Sequence, residues 1–248
     1  MRTQTFISSM VGVVAAAAVA GSVNAAIVDP FTQTSDALNN NVNNVTFWQD
    51  GLWLGGSFNQ RATTANPGYG GSTPLGGVPS STRSQTGAGS WVSTFAGDRP
   101  NTGEYARDAF TELAYDNESG PAFAIDFSKI MIDVAFAGST RNAGSYVNFL
   151  FYDVSFNKRE ATLNFTGSQL SASSLTIEFS KSQFVLTSGT SFDWNQVRYL
   201  IVHMAAAGAT GAGQTWTATN FQTTAVPAPG AAALIGLAGI VAGRRRRN

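Results

Sequence analysis

Val147-Asn148-Phe149-Leu150-Phe151-Tyr152 and Val197-Arg198-Tyr199-Leu200-Ile201-Val202 are the two stretches that decide how this sequence folds. Both are rich in β-branched and aromatic residues and apolar at nearly every position, which predicts central strands covered on both sides. Outward from them the same strand text recurs in Ala122 to Phe127, Ile130 to Ala137, Tyr146 to Phe156, Ala161 to Phe165, Leu175 to Phe179, Phe184 to Thr187, Val197 to Met204 and Thr215 to Thr223. Turn-forming clusters separate most of these segments. About ten strands over roughly 180 residues predict an all-β domain across residues 26–224, a single jelly-roll-like β-sandwich.

The first half of that domain is less regular. Residues 27–44 are Asn-rich and weakly patterned; Val45-Thr46-Phe47-Trp48 and Leu52-Trp53-Leu54 then read as strand, with Asp50-Gly51 as a hairpin turn between them. Residues 55–90 are rich in Gly, Ser, Thr and Pro and read as one long loop. In 101–118, Asn101 with Glu104 resembles a capping box and Glu104, Asp108 and Glu112 fall at helical spacing, while the alternation from Tyr105 to Tyr115 also fits a strand. The neighbouring strand text favours the strand.

Composition supports this class. Of the 248 residues, 43% are hydrophobic and only 12% charged, about half the charge of an ordinary globular domain. Polarity carried by Ser, Thr, Asn and Gly suits short strands joined by turns. No cysteine is present, which excludes disulfides, thiolate metal sites and a cysteine nucleophile. The formal net charge is zero, yet Arg2 and Arg244 to Arg247 lie in the terminal segments, and without them 10 basic residues face 15 acidic ones. An acidic middle domain excludes nucleic acid as partner, because phosphate binding needs a basic stripe.

Both ends read as targeting segments. In residues 1–25, Arg2 precedes the apolar run from Met10 to Ala20, and Val23 and Ala25 supply small residues at a cleavage site that leaves Ala26 first: a secretory signal peptide. Residues 225–248 hold Val226-Pro227-Ala228-Pro229-Gly230, an Ala/Leu/Ile/Gly run to Gly243, and Arg244-Arg245-Arg246-Arg247. The prolines keep the approach extended, and the arginines hold the cytoplasmic side of a membrane helix. That short transmembrane helix, about 18 residues or ~27 Å, suits transient rather than permanent anchoring.

The tail resembles the PEP-CTERM sorting signal of Gram-negative bacterial surface and extracellular proteins. Pro227-Ala228-Pro229, the apolar run and the arginine block match its three parts, with Ala228 where the pattern usually has glutamate. The resemblance covers about a tenth of the chain. It implies export, processing by an exosortase-like membrane peptidase, and delivery to the cell surface or extracellular matrix, and it transfers no activity to the β domain.

For that domain the expected function is non-catalytic: a structural, adhesive or glycan-binding module whose partner is extracellular polysaccharide. Five tryptophans supply stacking surfaces suited to sugar rings, and Trp48 and Trp53 beside the long loop are the candidates. The alternative is an extracellular polysaccharide hydrolase or lyase using a carboxylate pair. The single histidine, His203, lies inside an apolar run and reads as a half-buried strand residue rather than a general base. No cofactor is expected. Calcium on Asp50, Asp98 or Asp116-Asn117-Glu118 has no supporting ligand spacing.

Overall fold

A computed structural model describes residues 25–39, 45–66, 82–95, 109–117, 124–206 and 213–224. All fall within one compact unit, Asn24–Val226. Most of the expected signal segment, with Val23, the tail from residue 225, Asp98, Glu118 and positions 101–108 lie outside the described residues; Ala25 and Ala26 of the expected cleavage site lie within them, in a strand. No described helix is long and apolar enough to cross a membrane.

The described chain forms fourteen strands. The first seven are β1 (Ala25–Asp29), β2 (Ser35–Asn39), β3 (Val45–Trp53), β4 (Phe58–Asn66), β5 (Thr82–Gly87), β6 (Ser90–Phe95) and β7 (Ala109–Asp116). The rest are β8 (Lys129–Gly138), β9 (Tyr146–Asp153), β10 (Lys158–Asn164), β11 (Ser174–Ser180), β12 (Val185–Ser188), β13 (Val197–Ala206) and β14 (Gln214–Thr224). Three short 3-10 turns are the other regular elements. The first sheet has the order β11-β8-β14-β6-β5-β2, with β1 beside the end of β14; the second runs β12-β10-β9-β13-β7-β4-β3. The pairings are antiparallel. From β6 to β9 the chain alternates between sheets, so a two-sheet sandwich results.

Between the sheets lies a core with two chemistries. One part is aromatic and aliphatic: Phe127, Phe149, Phe151, Phe179, Phe184 and Trp216 are buried and meet mostly edge-to-face, as ring quadrupoles prefer. The other is built from hydroxyls. Ser35 Oγ bonds both Thr63 Oγ1 (2.7 Å) and Thr86 Oγ1 (2.8 Å), Ser93 Oγ bonds Thr111 Oγ1 (2.7 Å), and the Trp91 indole donates to Ser84 Oγ (2.9 Å). Arg61, fully buried on β4, crosses between the sheets there. It donates to Asp29 Oδ2 (2.5 Å), Gln49 Oε1 (2.5 Å), Thr86 Oγ1 (2.9 Å) and Gln33 O (3.2 Å), while Tyr115 donates to the same Asp29 oxygen (2.9 Å). Burying a charge at this depth is tolerable because the pair is held by several further hydrogen bonds.

Several expectations are corrected here. The 55–90 loop contains β4, β5 and the start of β6, and 27–44 contains β2 and most of β1. Asp50-Gly51 is not a turn: β3 runs through it with a register shift between Asp50 and Trp53, and the chain reverses at Leu54–Gly56. Gly51 serves the Trp53 ring instead, because a Cβ there would lie 2.6 Å from it. Residues 124–127 are irregular rather than strand, although Ile125 and Phe127 are buried. For 109–116 the strand reading is correct, as β7. The centrality of β9 and β13 is also correct, but their second face is only half-buried, with Asn148, Leu150, Tyr152, Ile201 and His203 on it. That face carries the candidate site.

Candidate functional site

Antiparallel pairing aligns the outward residues of the second sheet in transverse rows. The first runs Trp48-Ala62-Ala114-Ile201-Leu150 across β3, β4, β7, β13 and β9. It is a low apolar strip with an exposed indole at one end, and four strand spacings make it ~19 Å long. On one side lies a hydrogen-bonding row, Thr46-Thr64-Glu112-His203-Asn148-Thr162. On the other lies Asp50-Gln60-Asp116-Tyr199-Tyr152-Lys158.

Aromatic rings flank these polar groups. Phe110 and Tyr146 bracket the His203 imidazole at 4.4 and 5.5 Å between centroids. Tyr199 meets Tyr152 edge-on at 6.3 Å and Phe156 at 6.0 Å, with the Arg198 guanidinium 5.1 Å from its ring. Arg198 also pairs with Asp116 at 3.5 Å. Burial and the Asp116 carboxylate raise the Tyr199 hydroxyl above its usual pKa, against the Arg198 charge.

In the middle of the face, burial sets the protonation states. It pushes the Glu112 carboxyl up to about 7 and His203 down to about 4. His203 Nδ1 and Glu112 Oε2 lie 3.9 Å apart, but a neutral imidazole at pH 7 makes this a polar contact rather than an ion pair. His203 Nε2 and Asn148 Oδ1 are buried without a hydrogen-bond partner among the described residues. Their strands are in register, so an imidazole nitrogen and an amide oxygen with unspent hydrogen-bonding capacity lie in one row beside a carboxyl group.

Of the two candidate stacking residues, Trp48 is 55% exposed on this face. Trp53 is not available for stacking: it is 3% exposed, edge-on to Tyr115 at 6.1 Å and 5.1 Å from the Arg61 guanidinium. The bulge after Asp50 turns it inward. Trp91 and Trp216 fill the core, and Trp194 packs half-buried on Phe127, Phe151 and Phe184. Sequence reasoning missed Tyr146, Tyr152, Tyr199 and Phe110. The signal was available in β9, where Tyr146, Asn148 and Tyr152 share one parity and Val147, Phe149 and Phe151 the other. His203 is a half-buried strand residue, as expected. Among the described residues no three His, Asp or Glu side chains converge as a metal site would require. The sorting motif and basic block lie outside them.

No family model matches this sequence, and no curated protein matches it. Among solved structures, a family 11 carbohydrate-binding module from Clostridium thermocellum, in complex with a β-1,3-1,4-mixed-linked tetrasaccharide, is similar at TM-score 0.40 and 12% identity, covering 83% of this chain and 98% of that one. An exo-β-agarase is similar at TM-score 0.38 and 11% identity, covering 82% of this chain and 26% of that one. A structure described under carbohydrate-binding modules of the β-sandwich superfamily gives TM-score 0.34 and 8% identity, covering 76% and 55%. Likenesses of this size identify neither a family nor a ligand.

Proposed function

We propose that this chain is an exported, non-catalytic β-sandwich module that binds polysaccharide along the outer face of its second sheet. The observation that carries this is the strip beginning at exposed Trp48, with hydrogen-bonding rows on both sides and the Tyr152, Tyr199, Phe110 and Tyr146 rings among them. Sugar rings offer apolar C–H faces and hydroxyls that both donate and accept. A flat aromatic next to a mixed donor and acceptor row answers both needs. In this reading the N-terminal segment directs export with cleavage between Ala25 and Ala26. The tail from Val226 then engages the membrane and is removed by an exosortase-like peptidase, leaving the domain at the cell surface or in the extracellular matrix.

The hydrolase reading has one point in favour: Glu112, pushed up to about 7, carries the proton a general acid needs. Strand spacing weighs against it. Asp116 lies four residues along the same strand, and Glu160 three strands away, so strand spacing sets their backbones more than ~12 Å from that of Glu112, whereas the carboxyl groups of a glycosidase pair face each other at ~5–9.5 Å.

Electrophoresis of the full-length protein through gels containing neutral or acidic polysaccharides tests the binding reading. Retardation by at least one, weakened in Trp48→Ala, is expected; no retardation across the panel sinks it, and new reducing or unsaturated ends in the gel would favour the enzyme. For the sorting reading, mass spectrometry of surface protein should find the Arg244 to Asn248 end removed. An intact C-terminus rules that processing out.

A further inference from the structure

Away from that face, where β8 ends, lies a cleft of about 200 Å³ lined by Phe136, Ser139, Thr140, Arg141, Ser171 and Ser173, among others. Gly138 lets the wall form: its φ of 91° is left-handed, and a Cβ there would collide with the Gly213 carbonyl oxygen. Arg141 is only 4% exposed, and its guanidinium carbon lies over the Phe136 ring, 3.6 Å from the centroid. It donates through Nε (3.2 Å) and Nη2 to Gln169 O, and through Nη2 to Ala172 O (2.7 Å).

The electrostatics of this arginine are unusual. Burial lowers its pKa. No acid among the described residues pairs with it. Arg61, which is fully buried, has Asp29. Among the described residues Arg141 is met by two carbonyl oxygens and by the rings of Phe136 and Phe165, and its Nη1 hydrogens take no hydrogen-bond partner. A buried cation in this state gains most from an anion brought from outside.

The remaining groups restrict what that anion carries. Ser139 Oγ donates its hydrogen to Gly213 O (3.1 Å) and Ser171 Oγ donates to Ser168 O (3.3 Å), which leaves both hydroxyl oxygens lone pairs with which to accept. Thr140 and Ser173 add hydroxyls that can donate or accept, so a ligand with both an anionic group and hydroxyls of its own uses the whole lining, whereas a bare anion leaves Ser139 and Ser171 unmatched. The volume lies below the ~300–1,000 Å³ of ordinary small-molecule pockets, which restricts the occupant to about one ring.

We infer that this cleft binds a single sugar-acid residue, such as a uronic acid free or at the end of a chain, with its carboxylate on Arg141 Nη1 and its hydroxyls donating to Ser139 and Ser171. The cleft is separate from the sheet face, so the inference does not rest on the reading of that face. It gives the module a second, charge-dependent contact with an acidic polysaccharide.

Calorimetric titration of the full-length protein with glucuronate, galacturonate, glucose and acetate tests it. Binding of at least one uronate is expected, with glucose and acetate at least tenfold weaker. Arg141→Gln should weaken uronate by about tenfold or more, the loss of a charge-assisted hydrogen bond. Because Arg141 also holds two carbonyls, the variant has a partner experiment: Ser139→Ala with Ser171→Ala keeps the cation, and should weaken uronate several-fold while leaving acetate unchanged. Equal binding of glucose overturns the charge requirement. Equal binding of acetate, or an unaffected double serine variant, overturns the sugar assignment, and no uronate binding by folded protein overturns the whole. Trp48→Ala, which tests the sheet face, should leave monomeric uronate binding unchanged.

Discussion

The two outer faces of the sandwich are built on the same pleat and differ in almost everything they present. Across the first sheet, the rows read Ser174-Ala135-Thr217-Val92-Gln85-Asp36 and Ala137-Thr215-Thr94-Arg83-Leu38. Most of these side chains are small or polar, with Val92 and half-exposed Leu38 the larger apolar ones, no aromatic ring occurs in either row, and Arg83 is paired with Asp36 within the face. Its other polar groups are spent locally too: Asp133 takes bonds from both Thr176 (2.6 Å) and Asn220 (2.9 Å). The second sheet instead presents Trp48, Phe110, Tyr146, Tyr152 and Tyr199, together with a carboxyl, an imidazole and an amide whose protonation or hydrogen bonding is perturbed. A face that only meets water has no need of aromatic area or unspent acceptors, and the first sheet shows how such a face is made.

The largest test of the difference is in pH dependence. Glu112 titrates near 7 in the folded chain against 4.5 unfolded, so the unfolded chain loses its proton first and stability falls as pH rises from about 4.5 to 7. His203 titrates near 4 against 6.5, so the unfolded chain takes up a proton first on acidification, and stability rises with pH between about 4 and 6.5. In the native protein these slopes oppose each other. His203→Gln should expose the falling slope and Glu112→Gln the rising one, each on the order of 2–3 kcal/mol across its window in urea titrations at successive pH values. Parallel pH profiles for the two variants would break the contrast between the faces.

Next in size is binding. Trp48→Ala should weaken polysaccharide retention by about tenfold or more, with a change in stability below about 0.5 kcal/mol because the indole is exposed. Thr217→Ala, at the centre of the other face, should change neither. Tyr199→Leu should weaken retention by a few-fold, since it removes one platform ring and the hydroxyl beside Asp116 and Arg198. On the first sheet, Asp133→Ala should cost about 1 kcal/mol of stability from two exposed hydrogen bonds and leave retention unchanged.

What the sequence displayed follows the same division. β8, β9, β11 and β13 are legible because their inward positions are apolar, as with Val147, Phe149 and Phe151. β4 and β5 were hidden because their inward positions are not. In β4 these include Arg61 and Thr63, and in β5 they are Thr82, Ser84 and Thr86, all of them buried. Hydrogen bonds across the sandwich, such as Ser35 to Thr63 and Arg61 to Asp29, take the place of hydrophobic alternation there, and partners 28 or 32 residues apart leave no periodic trace. The glycines that suggested a loop have local duties: Gly87 and Ser90 pair across the two-residue turn Ala88-Gly89, whose φ values of 50° and 83° are those of a tight hairpin turn. At the site, Trp48 was legible as an aromatic in a strand. Trp53 misled because the bulge that inverts it resembled a turn in text. The tyrosines of β9 and β13 were absorbed into an apparently two-sided apolar run, which conceals that their rings share one face.

β1 lies antiparallel against the end of β14, with Ala26 opposite Thr223. Tension applied to the two ends of the domain therefore acts across this ladder at its open end, parting its hydrogen bonds one after another rather than all at once. A matrix or surface protein held by both ends would yield first at β1, at low force. The β8, β14 and β6 ladders would carry load only after that strand had peeled away. Held by one end alone, the domain would keep β1 in place under drag, which makes a single point of attachment the mechanically safer arrangement.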